Sequence, residues 1–443
     1  MSRGDEIDSL MVTHQSATMM HRFYRGVLYL VLPLVWLRLL RRARSEPEYG
    51  LRRAERFGGV PESVRSGCIW VHTVSAGETI AGAPLIAELA AEFADQRFLV
   101  TTMTPTGSAQ VQARLAGAVD HCYAPYDFGF AIRRFFDRVQ PRMLVLMETE
   151  LWPNMIAEAD RRDVPVYLVN ARLSAGSAEG YARIGGLTRP MLQRLSYIAC
   201  QSEEHVERFV ALGAAPDTAS AMGSVKYDVA LPEGFSADAA SLRSEFGFAD
   251  KPVWIAASTH PGEDEQVLEA FKLIRSALPQ ARLVLVPRHP VRADEVCDMA
   301  RQNGYRVRKH SEGGGDESAD VLVGDVMGTL LALYGIADVA FVGGSLVENG
   351  GHNPLEPAVC RLPVLCGPHQ FNFTQIMAEL SQRGGLITVD DAQMLGQAVL
   401  ALLQDEAQRR QVGEHAAGAL VENAGATRRL ARLLGGAIRA LPQ

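Results

Sequence analysis

The chain has 443 residues, a net charge of −7, 47% apolar residues and 21% charged residues. This length suggests two or three domains, and the composition is ordinary for a soluble globular protein. The negative charge disfavours bulk binding of nucleic acid. The six cysteines are scattered without a C-x-x-C pair, which favours reduced thiols in the cytoplasm over a disulfide scaffold or a zinc site.

The first predicted element is an apolar run over residues 26–37, with arginines on both sides. As a helix it reaches roughly 18 Å, against about 30 Å for the hydrocarbon core of a bilayer. We therefore predict a membrane-anchoring helix over residues 21–45, monotopic or marginally spanning, with the body of the protein in the cytoplasm. The alternative is an apolar helix buried on the first domain. Residues 1–20 are predicted to be a flexible extension.

Two series of strands and helices follow. The first has short apolar, strand-like runs at residues 68–74, 97–103, 143–147, 165–169 and 197–200. The second has such runs at residues 253–257, 282–286, 321–323, 339–342 and 363–365. Helical patterns separate the runs, which indicates parallel sheets covered on both faces. We predict two doubly wound α/β domains facing a central cleft, into which the carboxyl ends of their strands point.

The predicted boundaries follow from composition. The N-terminal domain covers residues 46–230, and a Pro- and Gly-containing linker covers residues 231–240. The C-terminal domain covers residues 241–425. A last helix, over residues 426–443, is expected to pack back on the N-terminal domain.

A glycine-rich loop lies between the run at residues 339–342 and the next predicted helix. Asn353 is predicted to be the N-cap of that helix, Pro354 its first residue, and Glu356 a capping partner. A glycine loop leading into a helix N-terminus is typical of a nucleotide-phosphate site, and a carboxylate there can accept hydrogen bonds from two ribose hydroxyls. The alternative is an ordinary capped helix.

Carboxylates follow two strands of the first half. Glu78 opens a helix, where it either interacts with the helix dipole or takes a proton from an acceptor hydroxyl. Glu148 and Glu150 share one face if their strand continues, and the alternative for both is a solvated cap. Lys226 closes the first half and can neutralise a leaving phosphate, although most lone lysines are simply solvated. No G-x-G-x-x-G dinucleotide-binding motif follows the first strand, which disfavours the hypothesis of an enzyme that transfers hydride.

Further candidate ligand-binding turns follow strands of the second half. They are residues 258–263, then Pro287, Arg288 and His289, then Met327, Gly328 and Thr329. A guanidinium at a strand end suits bidentate phosphate binding. Each segment alone can be an ordinary turn, but together they place several anion-binding elements on one edge of one sheet. The chain has no Asp-x-Asp pair, which argues against a metal-diphosphate clamp, and we expect no metal site.

In this order, these motifs resemble the 3-deoxy-D-manno-oct-2-ulosonic acid (Kdo) transferases, a family of membrane-associated GT-B glycosyltransferases. The resemblance covers nearly the whole chain from about residue 21. It rests on Ser-Ala-Gly-Glu at residues 75–78, Glu-Thr-Glu-Leu-Trp-Pro-Asn at 148–154, Asn-Ala-Arg-Leu-Ser at 170–174, Pro-Arg-His-Pro at 287–290 and the glycine loop at 343–356.

The resemblance implies inverting, metal-independent transfer of Kdo from CMP-Kdo to a lipid A precursor, at the cytoplasmic face of the inner membrane, during lipopolysaccharide assembly. No cofactor is implied, and the partners are the donor, the lipid acceptor and membrane lipids. Glu78 matches the general base of the family, and Glu148 and Lys226 match positions that stabilise the transition state. The CMP-binding positions are Pro287, Arg288, His289, Met327, Gly328, Thr329, Asn353, Pro354, Leu355 and Glu356.

Two alternatives stay open at this point. One is a GT-B enzyme that uses a nucleotide-diphosphate sugar. The other is a membrane-docked scaffold that keeps the fold without catalysis. The scaffold hypothesis predicts loss of charged site residues, whereas Glu78, Glu148, Lys226 and Glu356 are all present.

Overall fold

A computed structural model describes residues 3–314 and 319–442, with side chains from Met19 onward. The first element is a long helix, α1 (Arg3–Ser45). It starts upstream of the boundary predicted at residue 21. The predicted extension over residues 1–20 lies largely outside the side chains described, so its flexibility stays a prediction.

The chain divides into two compact units, of which the first comprises Met1–Val225 and Gly425–Gln443. The described residues of the first unit form seven strands: β1 (Ile69–His72), β2 (Phe98–Thr102), β3 (Asp120–Tyr123), β4 (Met143–Met147), β5 (Val166–Ala171), β6 (Tyr197–Cys200) and β7 (Ala219–Ala221). The helices between them are α2 (Ala76–Glu92), α3 (Pro105–Leu115), α4 (Gly129–Val139), α5 (Pro153–Arg161), α6 (Ala175–Arg183), α7 (Gly185–Leu192) and α8 (Glu203–Ala211).

The second unit, Lys226–Ala424, contains another seven strands in its described part. These are β8 (Val253–Thr259), β9 (Arg282–Pro287), β10 (Val307–Lys309), β11 (Val321–Val323), β12 (Val339–Val342), β13 (Val364–Cys366) and β14 (Leu386–Thr388). Its helices are α9 (Phe235–Glu245), α10 (Asp264–Ala277), α11 (Ala293–Gln302), α12 (Leu330–Gly335), α13 (Leu355–Val359), α14 (Thr374–Gln382), α15 (Ala392–Gln404) and α16 (Glu406–Asn423). The last helix, α17 (Ala426–Arg439), belongs to the first unit.

Both sheets are parallel and doubly wound. Their strand orders are β3-β2-β1-β4-β5-β6-β7 and β10-β11-β9-β8-β12-β13-β14. The direction of winding reverses between β1 and β4 in the first sheet, and between β8 and β12 in the second. Ligands of open α/β sheets bind beside such reversals, at the carboxyl ends of the strands. The fold therefore marks one candidate edge in each unit.

All ten predicted strand-like runs correspond to interior strands of these sheets, whereas the predictions missed the strands at the edges, β3, β7, β10 and β14. Interior strands are buried on both faces and read as apolar runs. In β4, for example, Met143, Val145 and Met147 pack in one hydrophobic cluster, and Leu144 and Leu146 pack in another. An edge strand such as β10 is only partly buried, so it lacks this signal.

The boundary between the two units lies between Val225 and Lys226. It precedes the linker predicted over residues 231–240. The Pro- and Gly-containing stretch instead leads into α9, which begins at Phe235 with Gly234 in a left-handed conformation (φ 78°). At the other end, α17 packs on α2 within the first unit. Its buried Leu430, Leu434 and Ile438 join the cluster that contains Ile86 and Leu89.

Helix α1 presents apolar side chains on two sides. On one side Tyr24 donates a hydrogen bond to the Asp127 carboxylate at 2.9 Å, and His21 contacts the Asn154 side-chain oxygen at 2.9 Å. Leu39 on this side is only 3% exposed. This side therefore contacts the first unit, but only 6% of the apolar segment is buried, so α1 is not the buried helix of the alternative.

The opposite side of α1 is an exposed apolar stripe that consists of Met19, Phe23, Val27, Leu30, Leu34 and Leu37. These residues recur at intervals of three or four, so they lie on one face of the helix. Leu30 is 80% exposed and Leu34 is 64% exposed. By length and composition alone, the segment Met19–Ser45 is apolar enough to cross a membrane. One face of α1 is therefore apolar and exposed, while the other face contacts the first unit.

Candidate active site

The candidate site of the first unit lies at the carboxyl ends of β1 and β4, between which the winding of the sheet reverses. Strands β1 and β4 are neighbours. Glu78 lies in the first turn of α2, which follows β1, and Glu148 lies in the loop after β4. Residues 70 positions apart in the chain therefore reach the same edge of the sheet. The first turn of α3 also lies here. Its Gly107 is so close to Ser75 that a side-chain Cβ atom at this position would lie 3.3 Å from the Ser75 carbonyl carbon.

Glu78 is held at the start of α2. The Val74 backbone N–H donates to one carboxylate oxygen at 2.8 Å, and the Ser75 hydroxyl donates to the other at 3.1 Å. The Glu78 N–H in turn donates to the Ser75 hydroxyl oxygen, which caps the helix. The predicted capping role is thus present. It fixes the carboxylate in place and leaves each oxygen able to accept a further hydrogen bond.

Burial raises the pKa of Glu78 to about 7, and repulsion from Glu150 and Glu148 acts in the same direction. The hydrogen bonds from Val74 and Ser75 oppose the rise. A carboxyl with this pKa can accept a proton near neutral pH and release it again, which is what a general base must do. A simple helix cap needs no such shift.

Glu148 and Glu150 do not share a strand face, because β4 ends at Met147. Glu148 has φ 55°, in the left-handed region, and this turns the chain out of the sheet. The Trp152 indole N–H then donates to the Glu150 carboxylate at 2.6 Å. Burial also raises the pKa of Glu150. Strained backbone of this kind costs of order 1–3 kcal/mol and is common at functional sites.

In the second unit, the Glu263 carboxylate holds the glycine loop after β12. The sequence analysis had placed this residue only in a candidate turn. Glu263 is fully buried. Its oxygens accept hydrogen bonds, at 2.6–3.0 Å, from the backbone N–H groups of His260, Gly344, Ser345 and Leu346. The loop N–H groups expected to face a phosphate are therefore occupied at these positions, and Glu263 acts as an internal anchor.

The predicted CMP-binding segments lie along the carboxyl edge of the second sheet. Strand β9 ends at Pro287, and the Arg288 N–H donates to the Thr259 carbonyl at 2.9 Å, which ties the Pro287–His289 turn to the end of β8. Met327 is 69% exposed and precedes Gly328, whose φ of 84° favours glycine. The Thr329 hydroxyl donates to the Val326 carbonyl at 2.9 Å.

The predicted N-cap is wrong by one residue: helix α13 begins at Leu355, so its N-cap is Pro354 and not Asn353. Asn353 supports the helix start from the preceding position. The Asn353 side-chain oxygen accepts from the Leu355 N–H at 3.1 Å, and its NH₂ group donates to Glu356 at 3.3 Å. Glu356 thus has a structural contact as well as its proposed ligand role. Lys226 lies at the start of the second unit, in a single 3-10 turn over Val225–Tyr227.

Sequence reasoning placed His260 and Glu263 in the candidate turn at residues 258–263 and His352 in the glycine loop, but it assigned no role to any of the three. A carboxylate three positions after His260 was the available signal for Glu263, whereas the two histidines, 92 positions apart, had none. Within residues 3–314 and 319–442, no group of three or more His, Cys, Asp or Glu side chains could hold a metal ion. Metal independence stays a prediction.

Two family models match the chain. Residues 52–229 match the model described as 3-deoxy-D-manno-octulosonic-acid transferase (kdotransferase). Residues 264–418 match the model described as glycosyl transferases group 1. The first match covers most of the first unit and ends at residue 229, just inside the second unit, and the second match lies within the second unit.

Similar proteins cover almost the whole chain. A 3-deoxy-D-manno-octulosonic acid transferase from Haemophilus influenzae is 39% identical over 416 residues, which are 93% of this chain and 97% of the relative. One from Bordetella pertussis is 37% identical over 427 residues, with 91% and 97% covered.

Among solved structures, UDP-GlcNAc 2-epimerase from Neisseria meningitidis is similar with a TM-score of 0.57 and 12% identity, covering 83% of this chain and 99% of that one. At such identity the likeness shows the fold alone. Together with the two parallel sheets, it confirms the predicted two-domain α/β class of GT-B type.

Proposed function

Since the chain belongs to the Kdo transferase family, a family of glycosyltransferases, we propose that it transfers Kdo from CMP-Kdo to a lipid A precursor, with inversion and without a metal ion. The observation that carries this proposal is Glu78. Its carboxylate lies beside the reversal of the first sheet, is held by two hydrogen bonds and has a pKa raised to about 7. This is the arrangement that proton removal from a sugar hydroxyl requires.

The proposed reaction is a single displacement. Glu78 takes the proton of an acceptor hydroxyl while the hydroxyl oxygen attacks the ketosidic carbon of Kdo. The bond between that carbon and the phosphate oxygen breaks, its electron pair stays on the phosphate, and CMP leaves. Attack opposite the leaving group inverts the configuration. Glu148 is proposed to stabilise the charge that develops on the sugar.

The leaving phosphate gains negative charge, and cationic side chains are suited to stabilise it. Lys226 and Arg288 are proposed for this role, with the CMP moiety bound by the segments around Met327–Thr329 and Asn353–Glu356. The backbone position of Arg288, whose N–H donates to the Thr259 carbonyl at the end of β8, supports this assignment.

We expect purified protein, given CMP-Kdo and a tetraacylated lipid A precursor, to release CMP and to add at least one Kdo to the lipid. Mass spectrometry of the lipid product measures this directly. Turnover should persist in a chelator, because no metal site is expected. Loss of turnover in the chelator, with recovery on adding back a divalent metal, would show that the metal-free mechanism is wrong. Inhibition by UDP rather than CMP would favour a nucleotide-diphosphate donor instead.

Glu356→Ala should weaken CMP binding by roughly 1.5–3 kcal/mol if the carboxylate holds the ribose hydroxyls, the range for hydrogen bonds to a charged group. If Glu356 only supports the start of α13, stability should fall by about 1 kcal/mol with CMP affinity unchanged. Calorimetric titration with CMP, beside a melting curve, distinguishes these outcomes. Glu348→Ala, an exposed carboxylate in the same loop, is the matched control.

The lipid acceptor requires the enzyme to work at a membrane surface. We propose that α1 anchors the protein to the cytoplasmic face of the inner membrane through its exposed apolar stripe. The arginines on either side of residues 26–37 suit anionic headgroups. The polar contacts of Tyr24 and His21 with the first unit support a helix that lies in the interface rather than one that spans it.

A further inference from the structure

Three histidines meet at the reversal of the second sheet. His260 follows β8, His289 follows β9, and His352 lies in the loop after β12. Strand β8 pairs with both β9 and β12, so the three strand ends are adjacent. This edge is where an open α/β sheet binds its ligand.

His260 and His352 form a direct hydrogen bond between their Nε2 atoms, which are 2.8 Å apart. The ring planes differ by 5° and the centroids are 5.1 Å apart, the separation of two coplanar rings joined end to end through this bond. One Nε2 must therefore donate and the other accept, so the pair shares a single hydrogen there. If both Nε2 atoms carried a proton, both would be donors and the hydrogen bond between them would break. One N–H could then donate to another acceptor.

The permanent charges near the pair are the guanidiniums of Arg288 and Arg292 and the carboxylates of Glu263, Asp264 and Glu295. Burial, then Arg288 and His260, lower the pKa of His352 to about 4, and His289 acts in the same direction. Burial also lowers the pKa of His260, which His289, Arg288 and Arg292 lower further and Glu263 opposes.

The carboxylates near the pair already have partners. Glu263 accepts hydrogen bonds from four backbone N–H groups. Asp264 accepts from the Thr259 hydroxyl at 2.6 Å and from Arg292 at 2.7 Å, and Glu295 pairs with Arg292. Arg292 is thus paired with carboxylates, and Arg288 is the guanidinium near His352 that can meet an incoming anion.

We propose that the His260–His352 pair, together with Arg288, binds the phosphate of CMP, and that the pair takes up a proton from solvent when the phosphomonoester is formed. The inference rests on the proposed function and extends it to the charge balance at the leaving group. The phosphodiester of CMP-Kdo carries one negative charge. Once the bond to Kdo breaks, CMP carries close to two at neutral pH, because its second pKa is about 6.

The added negative charge favours the protonated form of a nearby imidazole. In the free protein the pKa of His352 is about 4, so proton uptake requires that the bound phosphate dianion raise this pKa to about 7.5 or above. Protonation breaks the Nε2–Nε2 bond and frees an N–H to donate to a phosphate oxygen. The pair therefore stabilises the product of the displacement more than the donor. The proton lost by the acceptor hydroxyl goes to Glu78, so the two proton transfers occur on different groups.

The test is isothermal titration of the full-length protein with CMP at pH 7.5, in two buffers of different ionisation enthalpy. We expect uptake of roughly 0.5–1 proton per CMP bound, and none with cytidine, which has no phosphate. His352→Gln should abolish the uptake and weaken CMP binding roughly 10- to 100-fold, the range for a lost charged hydrogen bond. His260→Asn should do the same.

His415→Gln, an exposed histidine on α16, is the control and should leave both quantities unchanged. Binding of CMP without proton uptake would overturn the inference while leaving the proposed function intact. Equal uptake by the folded His352 and His260 variants would also overturn it, since the proton would then go to another group. Absence of any CMP binding to the unchanged protein would instead contradict the proposed function.

Discussion

Replacing Glu78 with glutamine is expected to lower turnover roughly 10²–10⁴-fold, the usual contribution of a positioned general base. The amide cannot take a proton, yet it keeps the size of the side chain and an oxygen that can accept from the Val74 N–H. The start of α2 should therefore persist. Glu78→Ala should lose as much turnover and destabilise the helix start as well. Initial rates of CMP release measure both variants.

The pH dependence of the unchanged protein should report the same carboxyl. Because the pKa of Glu78 is raised to about 7, log kcat/KM should rise with a slope of about one up to that pH and level off above it. The glutamine variant should lack this rise.

The contribution of Glu78 to protein stability should change with pH in the opposite direction. The folded protein holds this proton more tightly than the unfolded chain, so the contribution of Glu78 to the free energy of unfolding falls as pH rises from 4.5 to about 7.

Affinity for CMP should hardly change in the Glu78 variants, because the proposed CMP-binding segments belong to the second unit. Glu88→Gln, an exposed carboxylate on α2, is the matched control and should keep full turnover. Near-normal turnover in a correctly folded Glu78→Gln protein would leave Glu78 with its capping role alone.

The triple replacement of Leu30, Leu34 and Leu37 by serine is expected to move the protein from the membrane to the soluble fraction. Each leucine that enters the apolar phase contributes roughly 1.5–3 kcal/mol, so three contribute roughly 5–9 kcal/mol to anchoring. Because these residues are 80%, 64% and 48% exposed, the fold should tolerate the change. Transfer to membrane-embedded acceptor should fall, and transfer to detergent-dispersed acceptor should largely survive. Membrane flotation and the two transfer assays measure these effects.

A control with Val291→Ser and Val421→Ser removes exposed apolar side chains from the second unit, where they are 88% and 75% exposed. This variant should stay on membranes. If the α1 variant also stays there, the exposed stripe is not the anchor. If it unfolds, the stripe belongs to the core of the first unit, against its observed exposure.

The interior strands and the capped helices could be predicted from local sequence. Strands buried on both faces, such as β4, require apolar side chains at every position. Ser75 before α2 is a typical N-cap with a glutamate three positions later. The edge strand β10, Val-Arg-Lys, could not be predicted, because only its pairing with β11 distinguishes it from a polar loop.

For the candidate site, the family, the order of the interior strands and the positions of Glu78 and Glu148 after β1 and β4 could be predicted from the sequence. The packing of distant segments was needed to show that Glu263 occupies N–H groups of the glycine loop and that α1 keeps an apolar stripe exposed. It also decided that His260 and His352 meet across 92 positions. The physical reason is range: propensity and capping depend on residues a few positions apart, whereas burial and long-range hydrogen bonds depend on how distant segments pack.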